Sequence, residues 1–312
     1  MTVTDAAPPA TTSVRPRVAP PSGLTSGRVL FLSGIGLAWL AALLWTLRSA
    51  LTDSQGSDSA LIFSAQNLFG PVTAALAVGC SAGLAVITAV THWRSSRSGA
   101  ELTPALRVAL AGASGLLMGV VNGGLTLGLI GDRRISAVYA VCLAAATILG
   151  GLLSAIPFPR VLAAGLAGTY ATFLVKAVLS PFSGTLAPMF GAEQTLDGAN
   201  AAGNRMLLAF SLISGLMAGV LAYRGLRQVT EPAIRWPGYM AAGALPGLLA
   251  LVAEAFTRLS AERLISPITE LAVVERTILS LNGNARINAS MVLLFAGGLT
   301  ATVLLGRALK KK

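Results

Sequence analysis

Histidine occurs once in this chain, cysteine twice, and charged residues make up only 11% of it. A single imidazole, His92, leaves no cluster for a histidine-built metal site. Cys80 and Cys142 both fall within apolar runs, where they read as small packing residues rather than a disulfide. Aromatic residues, at 6%, suggest thin, closely packed helices rather than a wide cavity lined with rings. The signatures of phosphate and diphosphate chemistry are missing too. The chain has no Asp-rich metal–diphosphate motif, no H-x-x-x-x-D pair and no phosphate loop.

What the chain has instead is apolar length. Hydrophobic residues make up 54% of the 312, with a mean hydropathy of +0.74. Uninterrupted apolar runs of about 18 or more residues are long enough to cross a bilayer. Length and charge predict eight spans: 29–47, 71–90, 108–130, 135–156, 161–179, 206–223, 238–256 and 289–305. The expected fold is all-α, a polytopic helical membrane bundle. Residues 1–27, rich in Pro, Ala and Thr, read as a disordered cytoplasmic tail. They do not read as a signal peptide, because Pro20 and Pro21 follow the basic residues where an apolar stretch is needed.

The net charge of +11 does not point to nucleic acid, because the basic residues mark helix ends and form no aromatic-interleaved patch. With both termini in the cytoplasm, the cytoplasmic segments sum to +11 and the outer segments to zero. That partition satisfies the positive-inside rule and predicts a multi-pass protein of the cell membrane. The turn Asp132-Arg133-Arg134 runs against it. All three long connections, 49–70, 180–204 and 257–287, then fall outside.

The third span reads as the centre of the bundle. Gly115, Gly119 and Gly123 recur every four residues, and Gly124 and Gly128 repeat that spacing on the neighbouring edge. Such glycines form a groove in which another helix backbone can approach closely. Gly215 and Gly219 repeat the pattern in the sixth span. Ser114–Val120 resembles Ser214–Val220, and the two segments would run in opposite senses, as in an inverted repeat. Asn122, on the glycine span, requires a hydrogen-bond partner from another helix or from trapped water.

Few residues are candidates for chemistry. Gly112-Ala113-Ser114-Gly115 matches the G-x-S-G pattern around the serine of rhomboid-type intramembrane proteases. Such a serine needs a histidine base from another span, and His92 lies at a helix end with none following. Asp53 and Asp58 resemble in position the first-loop acids of lipid-linked glycosyltransferases, but their surroundings read as a solvated turn. No catalytic constellation closes. Lys176 and Glu254 are the two charges placed inside spans, near the outer ends of the fifth and seventh. Each snorkels to the interface alone, or the two pair across an outward-facing cavity. Residues 266–282 read as an amphipathic outer helix, with Ser266 as cap and Pro267 in the first turn. Glu275 falls on its buried face and joins Asn122, Lys176 and Glu254 as a ligand-pathway candidate.

These readings favour a permease-like protein or the membrane subunit of a transport complex. The alternative is a structural or regulatory scaffold that binds partner helices or lipids through its glycine faces. The expected partners are the lipid bilayer and a partner membrane subunit or second copy; no cofactor is called for.

Overall fold

A computed structural model describes residues 26–53, 57–97, 102–191, 195–228, 234–265 and 272–309. Among them there is no strand. The helices are α1 (Ser26–Asp53), α2 (Ser57–Asn67), α3 (Phe69–Arg97), α4 (Pro104–Leu129), α5 (Arg133–Leu153) and α6 (Pro159–Leu179). After the short α7 (Ser183–Leu186) come α8 (Leu196–Arg227), α9 (Trp236–Ile265) and α10 (Ala272–Leu309). Eight of these stretches are long and apolar enough to cross a membrane. The chain is a multi-pass, all-helical bundle. The tail through residue 25 and the whole 266–271 connection lie outside the described residues.

Local chemistry sets the breaks between helices. Thr103 caps α4, accepting from the Leu106 amide, and Pro104 opens its first turn. Asp132 caps α5 by accepting from the amides of Arg134 and Ile135 at 2.8 and 2.9 Å. That acid therefore serves the tight turn that ran against the charge rule. Pro157 and Pro159 separate α5 from α6, and Thr195 caps α8 by accepting from the Gly198 amide.

Three sequence expectations are revised. The segment 49–70 is largely helical, because α1 runs on to Asp53 and α2 follows it. The amphipathic outer helix is not separate: from Ala272 onward it is continuous with the last span, while its cap and Glu275's side chain lie outside the described residues. The glycine span α4 is also not the centre. Its apolar stretch is 22% buried against 72% for α3, and α4 packs against α5 and α3. Its buried face holds Ala111, Ser114, Gly115, Gly119, Asn122, Gly123 and Thr126, while Leu116, Leu117, Val120 and Leu127 point outward. Leucine faces outward and small or polar residues face inward because lipid tails solvate leucine as well as a core does.

The bundle contains two four-helix units built alike. In one, α5 packs against both α3 and α4, and α1 leans on α3. In the other, α10 packs against both α8 and α9, and α6 leans on α8. The glycines match position by position. A Cβ on Gly79 would run into the Thr147 carbonyl and Gly151 amide; on Gly215 it would meet the Leu293 carbonyl and Gly297 amide. A Cβ on Gly83 would strike Ser154 and the Gly151 carbonyl, and on Gly219 it would strike Thr300 and the Gly297 carbonyl. Gly115 sits against Ile148 as Gly247 sits against Leu294. Carried along the helix, that last register makes Asn122 the counterpart of Glu254 in the other unit. Four spans per unit make the two units run in the same sense. The segments 114–120 and 214–220 therefore do not correspond. The partner of 214–220 is 78–84 on α3, so the inverted repeat gives way to a parallel one.

Candidate functional site

Glu254 is 1% exposed and sits well inside α9, about 16 Å of helix before its end at Ile265. Its carboxylate does not meet Lys176. Arg286 donates from Nε to Oε2 at 2.8 Å, and Arg258, one turn further along α9, donates from Nε to Oε1 at 3.1 Å. Arg258 also donates to the Asn284 side chain at 3.0 Å. Arg286 donates to the Gln66 carbonyl at 3.2 Å and lies over the Phe69 ring. The expected Lys176–Glu254 pair is thus replaced by a Glu254–Arg286–Arg258 cluster joining α9, α10 and the end of α2. The sequence reading leaves Arg286 in the outer connection 257–287, beyond the amphipathic stretch that ends at Asn282. In the structure both residues are helical. A Cβ on Gly283 would come within 2.7 Å of Glu254 Oε1 and 3.0 Å of Arg258 Nη2, so this glycine admits the ion pair.

Lys176, near the end of α6, opens instead into a hollow of about 240 Å³ between the two units. Trp39 and Leu43 of α1, with Phe69, Gly70 and Thr73 of α3, form one wall. Thr169, Thr172, Phe173, Pro246, Ala250 and Arg286 form much of the other. The Trp39 and Phe173 rings stack with centroids 5.6 Å apart and planes 4° from parallel. Although aromatic residues are few, three of them converge on this one space. The threonine hydroxyls donate to carbonyls of their own helices, Thr73 to Phe69, Thr169 to Gly165 and Thr172 to Thr169. They present lone pairs to the hollow and leave Lys176 and Arg286 as its charged donors.

A second hollow of about 390 Å³ adjoins the first, sharing Leu43, Phe69, Gly70 and Arg286, and carries Thr46, Gln66 and Asn67. At the opposite end of the bundle a wider groove of about 820 Å³ lies between the starts of α6 and α9, among Phe158, Arg160, Arg235 and Pro237. Between the two ends the α6–α9 seam is tight. A Cβ on Gly165 would lie 3.0 Å from the Ala242 carbonyl and 2.5 Å from the Leu245 side chain. Pro246 has no amide hydrogen to give that same Ala242 carbonyl, so α9 is weakened at the seam.

The remaining candidates lie elsewhere. Asn122 is fully buried between α4 and α5 and donates to Thr147 Oγ1 at 3.0 Å, while its own Oδ1 accepts nothing. Gly115, Gly119 and Gly123 face α5, and Gly215 and Gly219 face α10. A Cβ on Gly124 or Gly128 would meet nothing within 4 Å, so these two belong to the open side of α4. Ser114 donates to the Ala111 carbonyl of its own helix. No His, Cys, Asp and Glu grouping that could hold a metal occurs among the described residues. Comparison of the chain with protein-family models, with curated proteins and with solved structures finds no match.

Proposed function

We propose that this is a permease-like protein of the cell membrane, acting alone or as the membrane subunit of a transport assembly, with both termini in the cytoplasm. One observation carries the reading: a charged hollow lies on the interface between two parallel four-helix units, among helices long and apolar enough to cross a membrane. Carriers built from parallel repeats hold their substrates at such an interface and move the units about it. The α6–α9 seam supports the same reading. It is hollow at both ends, closed in the middle by Gly165 against Ala242 and Leu245, and carries a proline at the closure. The charge asymmetry of the sequence makes the Lys176 hollow the outward-facing one.

The test is labelling of single thiols with a membrane-impermeant maleimide in intact cells. Both native cysteines are buried. Leu43→Cys and Phe173→Cys should react from outside, and Leu117→Cys, on the exposed face of α4, should not. A bundle in which neither Leu43→Cys nor Phe173→Cys reacts is dry. The scaffold reading would then replace this one.

A further inference from the structure

We propose that the hollow between the units binds a small organic anion, with its charged group between Lys176 and Arg286 and its apolar body against Trp39 and Phe173. The inference rests on the carrier reading for its purpose, but the site itself stands on charge and shape.

Charge comes first. Lys176, Arg258 and Arg286 converge on this end of the interface, and Glu254 is the one buried acid among them. Its carboxylate is shared by two guanidinium groups, so among the described side chains the cluster keeps an excess of positive charge. Glu262 lines the hollow beyond Arg258, on the far side of the ion pair and exposed to solvent. No carboxylate among the described residues lines the Lys176 hollow, and none forms a salt bridge with Lys176. Arg286 spends Nε on Glu254 and Nη1 on the Gln66 carbonyl. One hydrogen on Nη1 and both on Nη2 remain without an acceptor among the described residues. Uncompensated cations at membrane depth are tolerated where they line a water-filled or ligand-filled space. An anion placed between them gains from a low dielectric and from charge-assisted hydrogen bonds.

Shape then narrows the class. A space of about 240 Å³ corresponds to eight or so waters at roughly 30 Å³ each, enough for an organic molecule of on the order of ten non-hydrogen atoms. The stacked Trp39 and Phe173 rings and Leu293 give the space an apolar wall, which suits an aryl or short alkyl body. The adjoining hollow, with Gln66, Asn67 and Thr46, forms a polar approach that Arg286 also lines. The headgroup of an anionic lipid offers the same charge chemistry, so the experiment must separate a dissolved anion from a lipid.

The experiment is equilibrium binding of radiolabelled benzoate to the full-length protein in phosphatidylcholine nanodiscs. Benzyl alcohol serves as the uncharged counterpart. Benzoate should bind saturably and benzyl alcohol should not. Lys176→Gln should weaken benzoate by about thirtyfold, and Lys176→Arg, which keeps the charge, by no more than about threefold. Lys176 holds no acid among the described residues, so its variants should melt with the wild type. In phosphatidylglycerol nanodiscs, unchanged benzoate affinity identifies a dissolved anion as the occupant, and displacement of benzoate identifies the lipid headgroup. Either result keeps the anion site. Absence of benzoate binding in both lipids overturns the proposal, as does a Lys176→Gln variant that binds like the wild type. The thiol labelling above is independent of this assay. A wet interface that ignores benzoate leaves the carrier and removes the anion, whereas benzoate binding in a bundle that never opens does the reverse.

Discussion

Replacing Arg286 should be far more damaging than replacing Arg258, although both hold the same carboxylate. The Glu254 side chain is 2% exposed, Arg286 is 15% exposed and Arg258 is 46% exposed. Removing one partner of a buried ion pair leaves the other charge uncompensated and costs about 3 kcal/mol or more. A half-exposed partner one helical turn away is screened and contributes at most about 0.5 kcal/mol. Arg286→Met should therefore destabilise by about 3 kcal/mol and Arg258→Met by less than about 1 kcal/mol. Glu254→Met leaves the Arg286 charge without its carboxylate and should cost about as much as Arg286→Met. The double variant Glu254→Met/Arg286→Met removes both charges and should recover about 2 kcal/mol of the summed loss. Unfolding by sodium dodecyl sulfate titration in mixed micelles, followed by circular dichroism, measures all four variants on one scale. Equal losses for Arg258→Met and Arg286→Met, or strictly additive losses in the double variant, would refute the reasoning.

Position-equivalent Asn122 should behave differently from Glu254. Its amide nitrogen makes one hydrogen bond, its oxygen none, and Thr147 keeps its bond to Leu143. Asn122→Leu should thus cost under about 1 kcal/mol in the same titration. On α4, a Cβ at Gly119 would lie 3.0 Å from the Ala144 carbonyl, whereas Leu127 is 55% exposed. Gly119→Leu should destabilise by about 1–3 kcal/mol, and Leu127→Ala and Gly124→Leu should leave the titration midpoint close to that of the wild type. For topology, reporter fusions after Arg97, Arg227 and Lys312 should report the cytoplasm, and fusions after Asp58 and Gly191 the outside. Two or more fusions reporting the opposite side would remove the orientation.

The eight spans are legible in the sequence because apolar length is read directly from residue type. Their ends are not, because a helix continues through polar residues whenever another helix supplies partners. Glu254 illustrates this. A span ending at Phe256 places it at the membrane edge beside Lys176, while the real helix runs on to Ile265 and sets it deep. Its true partner was hidden because Arg286 fell in the 257–287 connection, while Gly283, lacking a side chain, admits the ion pair in three dimensions. The unit repeat was hidden for a related reason. What the two units share is where glycine backbones touch, Gly79 with Gly215 and Gly115 with Gly247, while the residues between these glycines differ in the two units. A local string match therefore joined α4 to α8, which occupy different places in their units. The spacing Gly115, Gly119, Gly123 is visible as a groove in the sequence. Its neighbours Gly124 and Gly128 show that spacing alone does not identify which edge meets a helix.

The central claim is that the interface between the two units opens alternately to each side of the membrane. Leu245 sits at the tight middle of the α6–α9 seam, against Gly165 and beside Pro246. The direct measurement is the labelling of a Leu245→Cys variant by an impermeant maleimide, applied in separate experiments to each side of oriented vesicles. The account predicts reaction from both sides, slower than at Phe173→Cys and reduced when Gly165→Cys and Ala242→Cys are joined by a short crosslinker. A thiol at position 245 that reacts from neither side, or from one side alone, would contradict it.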